Sequence, residues 1–370
     1  MEMTNASSYH INTTDVSRNN GSTNIDKYAE LRKSLHTLSL VVYCLAFVLG
    51  VLGNGVVIWV TGFKMKKTIN TVWFLNLAVA DFLFTAFLPL SVTHIALNLH
   101  WPFGKFMCKL VTTINSLNIF ASVYILVVIS VDRCVSVVWP VWAQNHRSVR
   151  KASCVSLGVL VLALILSIPF FIFRDTEPSS NNDDIIICFT NYALSDDDET
   201  SSVNQLGQLR HEAMTMTRFL LGFVVPFTVI VSCYAVIIHR IRRNRTLASQ
   251  SSRPFKIIAA VITTFFLCWA PYHIIHLIEM VNLRPTNRSI TLRHVTIIGG
   301  PLANNLAFFN SVLNPLLYVF MGQDFKDKVC KSILTVLETA FREEVSGSHT
   351  DTKSADTSRS REMSALNTEV

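Results

Sequence analysis

Apolar residues in this chain run in long blocks, without the strict alternation of strands or the one-sided stripe of soluble helices. Seven blocks stand out, near residues 36–62, 70–97, 105–138, 150–173, 214–241, 254–281 and 293–321. A helix needs about 20 predominantly apolar residues to cross a bilayer core, and each block meets that length. The first, fourth and fifth are plainly apolar, whereas the second and seventh are interrupted by Asp81 and by an asparagine-rich stretch. No internal repeat relates two halves, as it would in a transporter of paired halves. The pattern predicts an all-α membrane protein, a seven-transmembrane helix bundle. Gln323–Phe341 alternates basic and apolar residues, as an amphipathic eighth helix on the membrane surface would. The expected organisation is a tail at 1–35, the bundle at 36–321, the surface helix at 322–341 and a disordered cytoplasmic tail at 342–370.

Composition supports this class. Half of the residues are apolar and 15% are charged, against about 25% charged in an ordinary soluble domain. The net charge of +7 does not imply nucleic acid, because the basic residues gather beside the apolar blocks. Lys64, Lys66, Lys67, Arg147, Arg150, Lys151, Arg240, Arg242, Arg243 and Arg245 follow blocks one, three and five. The alternate links carry fewer cations, and the fourth-to-fifth link is acidic through Asp183, Asp184, Asp196, Asp197, Asp198 and Glu199. The positive-inside rule then places the N-terminus outside and the C-terminus in the cytoplasm, in the plasma membrane. Met1–Asn20 lacks the apolar core of a cleavable signal peptide, which leaves the first span as the insertion signal. Glycosylation acceptors at Asn5, Asn12, Asn20 and Asn287 all fall on the expected outside. Cys108 and Cys188 are the cysteines expected in the oxidising compartment, where a bridge between them would tie the long link over the bundle. The other cysteines read as buried thiols, with Cys330 either a thiol or a palmitoylation site.

Polar groups at bilayer depth are costly and call for a partner or a function. Asn54, Asp81, Ser122, Asn310 and Asn314 form such a set, with Asn310, Asn314 and Tyr318 four residues apart on one helical face. A polar cluster around Asp81 can hold a sodium ion or simply pair its own side chains. At the inner end of the third span stands Asp132-Arg133-Cys134. Alone, Arg133 reads as one more interfacial anchor. It acquires another meaning beside Cys268-Trp269-Ala270-Pro271 and Asn314-Pro315-Leu316-Leu317-Tyr318.

Together with Gly53-Asn54, Leu77-Ala78-Val79-Ala80-Asp81, Pro226 and Tyr234, these motifs resemble rhodopsin-like G-protein-coupled receptors over residues 36–341. The resemblance implies a receptor that couples to heterotrimeric G proteins and arrestin. It makes Arg133 the inner switch, Trp269 with Pro271 the pivot, and Tyr234 and Tyr318 partners of Arg133 in the active state. Two positions depart from the pattern. Cys134 stands where the family carries Tyr, and Leu160 where it carries Trp. The essential Arg133 is retained, so signalling is preferred to a non-signalling scavenger. The sixth span offers Arg253 and Lys256 and no acid at its inner end, so the resting partner expected for Arg133 is Asp132. Trp101-Pro102-Phe103-Gly104, Pro140–Arg147, Phe173-Arg174-Asp175-Thr176 and Tyr318–Phe325 resemble the chemoattractant branch. Phe63–Thr68, Thr217–Leu220 and Pro254–Ile258 look most like chemerin-like receptors, with formyl-peptide and prostaglandin D2 receptors as relatives. That branch implies inhibitory G proteins and a role in leukocyte chemotaxis and inflammation.

The outer half of the third span carries Asn115, Ser116 and Asn118 and no carboxylate, so a cationic amine lacks an ion partner. The seventh span has no lysine for retinal. No intramembrane nucleophile, paired-aspartate or zinc set is present, which excludes an enzyme at membrane depth. Arg218 is the notable charge. Its planar fork suits a carboxylate, either an internal one such as Glu279 or the terminus of a peptide or anionic lipid mediator. Tyr272, His273 and Glu279, with Arg174 and Phe189 of the outer link, are expected around the same cavity. Ser346, Ser348, Thr350, Thr352 and Ser354 suit phosphorylation, and Thr368-Glu369-Val370 resembles a PDZ ligand. Digestion of the cell-surface protein with an N-glycosidase is expected to raise its gel mobility. Replacing Asn5, Asn12, Asn20 and Asn287 together by Gln is expected to abolish that shift; an unchanged shift would refute the assignment of these acceptors.

Overall fold

The structure, a computed structural model, describes residues 21–179, 182–194, 201–243, 252–284 and 289–321, with Asp327 and Lys331 beyond them. The described residues from 21 to 321 belong to one compact unit, to which the following applies. Apart from Asp327 and Lys331, the expected surface helix lies outside the described residues, as do Cys330, the C-terminal tail, the acceptors Asn5, Asn12, Asn20 and Asn287, and the Tyr318 side chain.

Six helices are long and apolar enough to cross a membrane: Glu30–Lys64, Ile69–Ala96, Gly104–Val138, Val149–Ile172, Gln205–Arg243 and Ala259–Leu283. A seventh, Ile290–Met321, has 32 residues and is diluted by Asn304, Asn305, Asn310 and Asn314. These are the first to seventh spans. The usual polarity of a fold is inverted here. Leu52, Leu157 and Leu267 are 63%, 63% and 68% exposed, while Asn54, Asp81 and Ser311 are fully buried. Apolar side chains facing lipid lose nothing by exposure, and polar ones must find partners in the protein. The third span is the axle, packing against the second, fourth and fifth, while the first packs on the second and seventh and the sixth on the seventh. Ala80, Phe120, Ala121, Ala163 and Phe170 form a buried cluster. Leu160 packs against it.

Local sequence sets the breaks. Thr68 caps the second span reciprocally, its hydroxyl accepting from the Thr71 N–H at 3.2 Å while its own N–H donates to Thr71 Oγ1 at 2.8 Å. Pro89 follows a break at Phe87, consistent with a residue that has no N–H to continue the ladder. The fifth span starts in a helix at Ser201, well before the apolar block, and is interrupted by a π-helical turn at Leu220–Val224.

The link between the fourth and fifth spans departs from the all-helical expectation. Arg174–Ser179 (β1) and Asn182–Thr190 (β2) pair antiparallel as a hairpin. Cys188 of β2 is bridged to Cys108 of the third span, with Cα atoms 5.9 Å apart. Closing a loop of 80 residues is worth about 4–5 kcal/mol in the chain-entropy account. The hairpin is pinned again where the Trp101 N–H donates to Ile186 O at 2.7 Å and Lys105 pairs with Asp175 at 2.8 Å. Burial pushes the Asp175 carboxyl pKa upward, but the Lys105 hydrogen bond, the Thr176 N–H and the Lys109 charge outweigh it and hold it below the usual value.

Small residues let the spans approach. A Cβ on Gly50 would meet Thr85 Cγ2 at 2.4 Å, and one on Gly53 would meet Pro315 Cβ at 3.1 Å. Gly50→Ala is expected to destabilise the solubilised protein by about 1–3 kcal/mol, the cost typical of overpacking, read as a lowered Tm. Adding Thr85→Ser, which removes Cγ2, is expected to restore part of the loss; no restoration would show that the clash is not the cause.

Candidate functional site

Three groups of side chains line up along the bundle. At the end away from the hairpin, Arg133 is 13% exposed in its side chain, and its Nη2 donates to Asn70 Oδ1 of the second span. Asp132, the partner expected for it, is paired with it only at long range, and Arg147 takes both oxygens of that carboxylate in hydrogen bonds. Arg147 Nε lies 2.8 Å from Oδ1 and its Nη2 2.7 Å from Oδ2, whereas Arg133 Nη2 stays 3.9 Å away. The reason is geometric. Consecutive helical residues point in different directions, while Arg147, beyond the short helix Pro140–His146, presents its fork face-on. Tyr234 of the fifth span has a buried hydroxyl without a protein partner.

At mid-bundle the Asp81 carboxylate accepts from three side chains. Asn118 Nδ2 and Ser311 Oγ reach Oδ1 at 2.9 and 2.7 Å, and Asn314 Nδ2 reaches Oδ2 at 2.8 Å. Asn54 Nδ2 bridges the first span to the seventh, donating to Ser311 O at 2.9 Å and to Gly50 O at 3.0 Å. Asn118 had been expected in the ligand pocket. Its amide is instead committed to Asp81, because it lies on the face of the third span that turns to the second. Ser311 was missed; its only sequence signal was its place beside Asn310 on the asparagine-rich face. Asn54 Oδ1, Ser122 Oγ, both amide atoms of Asn310 and Asn314 Oδ1 are buried without a protein partner.

Toward the hairpin, the fifth and sixth spans bring Arg218, Tyr272 and His273 together. Arg218 is 5% exposed, donates from Nη1 to the Tyr272 hydroxyl at 2.9 Å and lies 4.3 Å from the centre of the Phe170 ring. Such stacking on an aromatic face holds a guanidinium at low hydration cost. His273 is buried between Phe219 and Phe223, its ring 6.1 and 5.1 Å from theirs. Tyr272 also meets Trp269, at 5.4 Å, on the turn before Pro271. Glu279, the internal partner considered for Arg218, bonds His276 Nδ1 at 3.1 Å. Arg174 is turned into the hairpin, bonding Thr190 Oγ1 at 2.7 Å and Cys188 O at 3.1 Å, so its charge serves the hairpin's shape. Phe189 sits on β2 opposite Asp175. Asn115 is buried and lines a small crevice with Phe84, Ser91 and Phe308, a position nearer the second and seventh spans than Arg218.

A buried carboxylate between the second, third and seventh spans, an arginine at one end and a disulfide-tied hairpin at the other occur in one continuous bundle. Residues 53–318 match the family described as 7 transmembrane receptor (rhodopsin family). The chain belongs to this family. It is a receptor and not an enzyme. Chemerin-like receptor 1 of Rattus norvegicus is 48% identical over 292 residues, covering 78% of this chain and 76% of that protein. The human chemerin-like receptor 1 is also 48% identical over 292 residues, with 78% and 75% covered. N-formyl peptide receptor 3 of Homo sapiens is 40% identical over 335 residues, with 90% and 93% covered. The chain is thus a G-protein-coupled receptor of the chemoattractant type. A thermal double-mutant cycle on Asp132→Asn and Arg147→Ala is expected to give a coupling of about 1–3 kcal/mol, as for hydrogen bonds to charged groups. The cycle with Arg133→Ala is expected to give less, and the reverse order would overturn the assignment of Arg147 as the partner.

Proposed function

We propose that this receptor recognises an extracellular chemoattractant peptide or protein through its C-terminal carboxylate, and that Arg218 receives it. The observation that carries this reading is the guanidinium of Arg218, buried and oriented by Tyr272 and Phe170 on the hairpin side of the bundle. Its planar fork fits a carboxylate with two parallel hydrogen bonds. Two relatives are named for peptide or protein ligands, chemerin and N-formyl peptides. A chemerin-like ligand is favoured because the chain is 48% identical to chemerin-like receptor 1 and 40% identical to N-formyl peptide receptor 3. The N-terminus and hairpin face outward, and Arg133 faces the cytoplasm of a cell in whose plasma membrane the receptor sits. Inhibitory G proteins and arrestin are its intracellular partners, and chemotaxis and inflammation its setting.

Signalling is a shift between two populations, limited by the ligand's differential affinity for them. In the resting arrangement Arg133 is held on Asn70. An agonist seated on Arg218 bears directly on Tyr272 and, through it, on Trp269. The inner ends of the fifth and sixth spans then part and expose Arg133 to the G protein. The donor set around Asp81 fits a sodium ion: one carboxylate, with the oxygens of Ser122, Asn310 and Asn314 lacking protein partners. Such an ion would favour the arrangement in which these groups stay gathered.

The test is inhibition of cyclic AMP by the C-terminal peptide of chemerin and by prostaglandin D2, in cells with verified surface expression. Arg218→Ala is expected to weaken the peptide response by about 10- to 100-fold, the scale of a lost hydrogen bond to a charged group. Amidating the peptide's carboxylate is expected to cost the wild type similarly and the mutant little. A response to prostaglandin D2 alone would transfer Arg218 to a lipid carboxylate. Silence to both, with ligand nevertheless taken up, would replace the signalling reading by a scavenger.

A further inference from the structure

The fifth and sixth spans are tied together at the hairpin end. Arg284 grips Glu212 through Nε at 3.0 Å and Nη2 at 2.8 Å, and Arg218 bonds Tyr272. Beyond the π-helical turn Leu220–Val224 the contacts between them thin out, and a cavity of about 430 Å³ opens. Its walls are two facing stripes at helical spacing, including Phe223, Phe227 and Tyr234 on one span and Ala259, Thr263 and Phe266 on the other. Phe266 meets Phe223 at 5.3 Å and Phe227 at 4.9 Å, both edge-on. Phe227 and Leu267, also in the wall, are 44% and 68% exposed, so the cavity is continuous with the surface that meets the bilayer.

The cavity has a polarity. No lining residue is charged, which excludes a charged occupant. Its aromatic end lies toward the bilayer middle. At its other end the Tyr234 hydroxyl is buried without a protein partner. From Phe223 to Tyr234 the stripe runs about 16 Å at 1.5 Å per residue. Two turns farther, the exposed Arg240, Arg242 and Arg243 end the helix. Uncharged apolar wall, one hydrogen-bond donor and then a cationic terminus is the order met along a lipid from tail to ester to phosphate.

We propose that this cavity is a binding site for one acyl chain of a phospholipid in the leaflet on the arginine-rich side. The chain lies against Phe223, Phe227 and Phe266, Tyr234 donates to the ester carbonyl, and the terminal arginines meet the phosphate. The bound chain fills space that the fifth and sixth spans would otherwise close.

The experiment uses the full-length receptor in nanodiscs that contain a phosphatidylcholine with a photoactivatable diazirine in its acyl chain, followed by peptide mapping. Labelling is expected to concentrate on residues 223–234 and 259–270, several-fold above the lipid-facing fourth span. Ala259→Phe, or Thr263→Leu should the first variant fail to fold, is expected to lower that excess at least fivefold and leave the fourth span unchanged. An ether-linked analogue, lacking the carbonyl, is expected to label the wild type two- to tenfold less and Tyr234→Phe no less than the ester does. Labelling of these stripes at the fourth-span level, or labelling indifferent to the filling variants, would overturn the site. An ether analogue equal to the ester in the wild type would overturn the role given to Tyr234.

Discussion

The buried carboxylate of Asp81 is the constraint around which the bundle is arranged. A charge taken out of water must be met by protein dipoles, or its burial costs several kcal/mol. Asn118, Ser311 and Asn314 supply those dipoles from the third and seventh spans. Their spans are therefore fixed relative to the second, and Asn54 extends the arrangement to the first through the Ser311 carbonyl. In a bilayer, where apolar contacts between helices gain little over contacts with lipid, polar links of this kind and close approach at glycine do much of the ordering. Gly50 against Thr85 and Gly53 against Pro315 show the second means beside the first.

The two ends of the bundle hang from this middle in different ways. Toward the hairpin, ordering is by covalent and ionic ties: the Cys108–Cys188 bridge, Lys105 with Asp175, and Arg284 with Glu212. Toward Arg133, ordering is by arginine forks. Arg147 holds Asp132 and Arg133 reaches Asn70, so the third span is bound to its neighbours through groups that can exchange partners. One end is built to keep its shape and the other to change it, as a receptor that reports an event across a membrane requires.

Much of this could be read from the chain before its structure. The spans follow from apolar length, and the polar cluster from the expense of Asn54, Asp81, Asn310 and Asn314 at bilayer depth. The bridge followed from which cysteines share a compartment. What stayed illegible depended on rotation and distance. Asn118 is two residues from Ser116, and composition alone does not say which faces the pocket and which faces Asp81. Arg147 read as one cation among many beside the membrane, since nothing local marks its return to Asp132 across the helix Pro140–His146. The hairpin was hidden because Asp183 and Asp184 obscure an otherwise apolar second strand, and its partner strand contains Pro178. Arg174 looked like a pocket charge for the same reason: without the hairpin it has no visible employment.

The π-helical turn at Leu220–Val224 gives the fifth span a phase that the residue types alone do not carry. Each residue of an α-helix advances its neighbours by about 100°, and a π turn accommodates one residue beyond the regular ladder. Arg218 lies just before this turn and Phe223, Phe227 and Tyr234 lie within or after it. Their common orientation toward the sixth span therefore depends on a count as well as on identities. Two related receptors could keep the same arginine and the same tyrosine and still present one of them to lipid, if a single residue were gained or lost between them. Comparison of ligand preference among such relatives is accordingly a question of helical register before it is one of substitution.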